Sequence, residues 1–246
     1  MKLRSGNPAL KAESFSRVRE AGEAAMTLSG TVHKTGASIL ILIAFASLTW
    51  NQVFGERMML PILWGSLIVG LVLSVVTVFK KTWAPVTTPV YAAVEGLLLG
   101  TLSSLFELQY PGIVINAVAL TFGVLVALLI AYSSGVIKAT ENMKLGIAAA
   151  TGGIGLVYLV SIGLGFFGKS IPLIHESGLV GIGFSLFVVV IASLNLVMDF
   201  DFIESGVEKG APKYMEWYGA FGLIVTLVWL YLEILRLLAK LQGRKS

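Results

Sequence analysis

The stretch LNLVMDFDFIESG, residues 194–206, sets Asp199, Asp201 and Glu204 at the end of a run that is otherwise uncharged from residue 177. Two more acids stand inside apolar sequence. Glu95 has eleven uncharged residues on each side, back to Ala84 and on to Phe106, and Glu233 lies in VTLVWLYLEILRLL, three residues before Arg236. A carboxylate can bind a proton, give oxygen ligands to a hard cation, or pair with a base. An ionised one at the centre of a membrane helix costs on the order of 3 kcal/mol, so such acids face a cavity or a partner and mark candidate sites. Asp199 and Asp201 are two apart, which on a helix turns them about 200° from each other, so they form a tight pair only if the backbone unwinds between them. Asn195 precedes Asp199 by one turn on the same face and offers an amide to the same hydrogen-bond network. Asp199 is therefore the inward acid, while Asp201 and Glu204 read as the wet end of the helix. Glu95 is either a protonated carboxyl bonded to a neighbouring helix or part of a polar pathway, and Glu233 with Arg236 is an i, i+3 ion pair near an interface.

The elements that must position these groups follow from composition. The chain has 246 residues, of which 56% are hydrophobic and 13% charged, a balance far from that of a soluble domain. Seven apolar runs approach the roughly 20 residues needed to cross about 30 Å of hydrocarbon as a helix. They fall at about 35–55, 58–79, 84–106, 111–137, 145–168, 177–198 and 214–235. None alternates apolar and polar residues as a membrane β-barrel strand does. We expect an all-α integral membrane protein, with an N-terminal segment at 1–34, a seven-helix domain at 35–238 and a tail at 239–246. The segment 1–34 lacks the apolar core of a signal peptide, and Phe15, Val18 and Gly22 give it only a thin amphipathic stripe. Gly96 and Gly100, four apart, have the small-residue spacing that lets helices approach closely.

Twelve Lys and Arg fall on the side of the N-terminus, against Arg57 and Lys169 in the opposite loops. This places the N-terminus in the cytoplasm. Arg236, Lys240, Arg244 and Lys245 near the C-terminus count against that orientation. The net charge of +4 is accounted for by the loops and does not argue for nucleic acid. With no cysteine and only His33 and His175, both outside the apolar runs, thiolate chemistry, cysteine metal sites and an intramembrane Ser/His pair have no residues to use. AYSSG at 131–135 is a weak likeness to a serine elbow, and the last span has no mid-helix lysine for a retinal pigment. No enzyme activity and no cofactor are expected. TGGIGLVYLVSIGLGFFG at 151–168 is rich enough in glycine to kink, but has no second copy of the kind that repeat-built transporters carry.

Four stretches together resemble the transmembrane Bax inhibitor motif family, the Bax inhibitor-1-like proteins, in a bacterial branch with a longer N-terminal segment. They are NPAL, YAAVEGLLLGTLSSLFELQYPGIVINAVALTF, LNLVMDFDFIESGVEKGAPKYMEWYGAF and LYLEILRLL. The resemblance implies seven helices with the last one central, in the inner membrane of a bacterium. It also implies a pH-sensitive calcium leak in which an aspartate of the sixth span shares a proton with one of the seventh. Asp199 matches the first of these. Thr226 stands where the second would be, and Glu233 follows two turns later. Threonine cannot share a proton as a carboxylate does, so Glu95, Asp201 or no acid at all remains as the partner of Asp199, with Glu95 preferred.

Two functions fit these residues. In one, Asp199 is a proton-sensitive gate, and Glu95, Asn195, Asp201, Thr226 and Glu233 form the ion path or its polar network, passing Ca2+ or another cation through transient contacts. In the other, the chain does not conduct and binds or modulates another membrane protein.

Overall fold

A computed structural model describes residues 24–50, 55–165, 167–168 and 178–244. The amphipathic stripe of Phe15, Val18 and Gly22, the NPAL stretch, Lys169, His175 and Lys245 lie outside the described residues. Among those described, every regular element is helical. Seven helices are long and apolar enough to cross a membrane. They are α1 (Leu28–Trp50), α2 (Met59–Phe79), α3 (Ala84–Gln109), α4 (Ile113–Ser133), α5 (Glu141–Gly165), α6 (Leu179–Glu208) and α7 (Met215–Gly243). The seven-span helical bundle is the fold, and α7 is its most enclosed helix, with 67% of its most apolar stretch buried against 11% for α1 and α5. Leu71 and Val72 of α2 and Leu156 and Leu159 of α5 lie exposed, as befits residues facing lipid tails rather than water.

Three boundaries differ from the sequence expectation by more than five residues. The first span begins at Leu28 instead of 35, because Thr27 Oγ1 accepts the Gly30 N–H at 3.0 Å and so caps the helix there. The sixth runs to Glu208 instead of 198, so the whole of LNLVMDFDFIESG is helical. It can do so because Phe200, Phe202 and Ile203 are buried and keep the chain packed past the acids, until Gly210 turns it with φ 62°. The seventh runs to Gly243, through what the sequence suggests is a tail from 239, because Lys240 finds buried partners.

The chain contacts divide the helices into two units. The first contains α1, α2 and α3 together with Asp201–Val225, the end of α6 and the start of α7. Here the spacing of Gly96 and Gly100 admits α1: a Cβ at Gly96 would overlap Leu42 O, and one at Gly100 would overlap Ala46 O. Thr49 adds a hydroxyl donated to Leu97 O at 3.2 Å. The second unit contains Gly112–Phe200, and α7 from Thr226 onward. Gly112, at φ 84°, makes the turn in YPGIV from which α4 starts. Ile154, Val188 and Ile191 form an apolar cluster in this unit, covered by Tyr158, Phe184 and Trp229.

Candidate functional site

In the second unit the acid of the sixth span is completely enclosed. Asp199 has 0% exposure, between Met198 and Phe200, which are also buried. One turn earlier, the buried Asn195 donates its amide to Thr151 Oγ1 of α5 at 2.9 Å and to Ile191 O at 2.8 Å. This ties the polar face of α6 to α5. Thr226 is buried as well. Because α6 is unbroken through residues 199–201, Asp199 and Asp201 point to different sides of it. Along the same helix Asp201 is half-buried and Glu204 exposed.

Glu233 is buried and engaged on both oxygens. The Tyr158 hydroxyl donates to Oε1 at 2.7 Å, and Arg236 donates to Oε1 and Oε2 at 2.9 and 3.0 Å. Arg236 also donates to the Tyr158 hydroxyl at 2.7 Å and lies 5.2 Å from the centre of its ring. The i, i+3 pair was legible from spacing, but Tyr158, 75 residues away, was not. One turn further on, Lys240 donates to Gly181 O at 2.9 Å and Ser185 Oγ at 2.8 Å in the first turns of α6. Two of the four basic residues that count against a cytoplasmic N-terminus are therefore committed to internal bonds, which weakens their bearing on orientation.

In the first unit, Glu95 is buried on α3. Its carboxyl is hydrogen-bonded to the hydroxyl of Tyr91, one turn earlier on the same helix, and Tyr91 reaches Ser74 of α2. Gly70 of α2 makes room for the acid, since a Cβ there would come within 2.8 Å of Glu95 Oε1. A lone glycine within the large apolar residues of LIVGLVLS was the sequence signal of that close passage, visible only once its neighbour is known. Tyr91 also packs edge-on against Phe221 of α7, with ring centres 5.1 Å apart.

The acid that sequence reasoning left aside is Glu216, in the first turn of α7, with 0% exposure. Its Oε1 accepts the backbone N–H of Thr27 at 3.0 Å and the Thr27 hydroxyl at 2.9 Å, and its Oε2 accepts the Lys34 ammonium. Nothing in the spacing of residues 27, 34 and 216 discloses this.

Among the described residues, no three His, Asp or Glu side chains come together as a metal-ligand set. The buried carboxyl groups can exchange protons or contact a cation singly. A bundle of seven apolar helices that keeps acids in its interior defines a multi-pass membrane protein. The chain belongs to the Bax inhibitor 1 like family, whose model it matches over residues 7–243. Comparison with curated proteins and with solved structures gave no match.

Proposed function

We propose that this protein is a cation leak pathway of a bacterial inner membrane, with its N-terminus in the cytoplasm and Asp199 as a proton-sensitive gate. The observation that carries the reading is the complete enclosure of Asp199 on a continuous apolar helix. An acid there changes the charge of the bundle interior whenever it takes up or loses a proton. Asn195 and Thr226, buried in the same unit as Asp199, give the polar surface that a partly dehydrated ion needs. Ca2+ suits such a route because it accepts carboxylate and carbonyl oxygens in flexible geometry. No catalytic step and no resident cofactor enter this function.

Family membership supports a protein of the Bax inhibitor 1 type, and the calcium route and its gating are our extension of it. The experiment is ion flux into liposomes holding the purified chain, for wild type and Asp199→Asn across a pH series. A pH-dependent wild-type flux that becomes pH-independent in the variant supports the gate.

A second reading has its own observation. The charge of Glu233 is balanced by Arg236, with Tyr158 donating to Oε1 as well, as befits a static bundle that binds another membrane protein and conducts nothing. It requires flux no greater than that of empty liposomes, and a stable co-purifying membrane partner.

A further inference from the structure

The start of the described chain is fastened to the turn between α6 and α7 by a small set of bonds that the proposed transport does not use. Met26 N–H donates to Ala211 O at 2.7 Å and Lys213 N–H donates to Ala24 O at 3.0 Å, around an antiparallel bridge between Ala25 and Pro212. Two backbone bonds of this kind are weak by themselves, because each replaces a bond to water. Beside them sits Glu216, with 1% side-chain exposure, and its three donors all come from one short segment: the Thr27 amide, the Thr27 hydroxyl and the Lys34 ammonium. Charge-assisted bonds are about twice as strong as neutral ones.

Each part of the segment is arranged around that carboxylate. Thr27 caps α1 with the hydroxyl oxygen whose proton it gives to Glu216, so the start of the helix and the acid are one hydrogen-bonded unit. Gly30 lies against the carboxyl group so closely that a Cβ would overlap it. The Lys34 ammonium is 5.7 Å from the centre of the Trp217 ring, which adds a second contact on the residue next to the acid. Glu216 stands in the first turn of α7, where the positive end of the helix dipole favours negative charge.

We propose that Glu216 is the pin of a clasp: its charge holds residues 24–34 on the α6–α7 turn, and neutralising it releases this segment while the helices stay folded. A release would free both the entry into α1 and residues 210–214, giving the membrane domain a switchable end. This device does not depend on whether the chain conducts ions.

The absence of native cysteine allows a direct test on the full-length protein in detergent. Met26→Cys puts a thiol at the buried centre of the clasp, and Ala192→Cys puts a control thiol at a buried site of α6. Maleimide labelling of the Met26→Cys thiol is expected to rise at least about tenfold when Glu216→Gln is added, the scale of losing one charge-assisted bond network, while labelling of the Ala192→Cys thiol stays slow. Lys34→Met, which removes the cation, and Gly30→Ala, which crowds the carboxylate, are expected to act in the same direction and serve as the comparison if Glu216→Gln does not fold. Unchanged labelling at the clasp in the folded variants overturns the proposal. So does a parallel rise at both thiols, because that means general loosening of the bundle.

Discussion

Asp199 and Glu233 are both buried acids of the same unit. Glu233 is held by a cation and a phenol, and removing either leaves a buried group short of a partner. Tyr158→Phe deletes one neutral donor and is expected to lower stability by about 1 kcal/mol. Arg236→Met strands the carboxylate and is expected to cost more, about 3 kcal/mol, tempered by the partial exposure of the arginine. Thermal unfolding in detergent, ranking wild type above Tyr158→Phe and that above Arg236→Met, checks the pair; equal loss from both would show that the charge is not what matters. At this scale the sequence told which acids lie in apolar surroundings, since that depends only on neighbours along the chain. It did not tell their partners: Tyr158 for Glu233, Gly70 beside Glu95 and Thr27 with Lys34 for Glu216 are brought in from distant helices by packing.

The α1 and α3 helices are the clearest case in which a short pattern determines an interface. Gly96 and Gly100 leave no room for side chains, and the backbone carbonyls of Leu42 and Ala46 fill the space. Gly100→Val is expected to destabilise the bundle by about 1–3 kcal/mol or to force α1 away. Gly153→Val, on an exposed stretch of α5 where a Cβ meets nothing within 4 Å, is expected to stay within about 0.5 kcal/mol of wild type. Similar losses from the two would mean that glycine content rather than close approach sets the cost. Helix existence was legible from apolar runs, but helix ends were less so. Hydropathy marks where a chain turns polar. The backbone of α6 ignores that signal for ten residues because Phe200, Phe202 and Ile203 still have a core to pack against. The end of α7 is extended in the same way by the bonds of Lys240.

For the whole molecule, the orientation we propose from the bias of Lys and Arg puts the loop at 134–140 in the cytoplasm and the turn at 110–112 outside. With no native cysteine to interfere, an impermeant thiol reagent on intact cells is expected to label Gln109→Cys and to spare Ser134→Cys until the membrane is opened. The reverse pattern would invert the orientation. The seven-helix architecture was readable from composition because a chain crossing lipid as helices needs apolar runs long enough to span it. The function was readable only as chemistry in waiting, because a carboxylate pattern does not say whether water and ions reach it. The flux experiment addresses that question most directly. Protonated Asp199 and asparagine carry the same charge, so Asp199→Asn is expected to conduct at every pH as the wild type does at its low-pH limit. A wild type that passes no cation above empty liposomes, or a variant that keeps the full wild-type response to pH, would contradict the gate at Asp199.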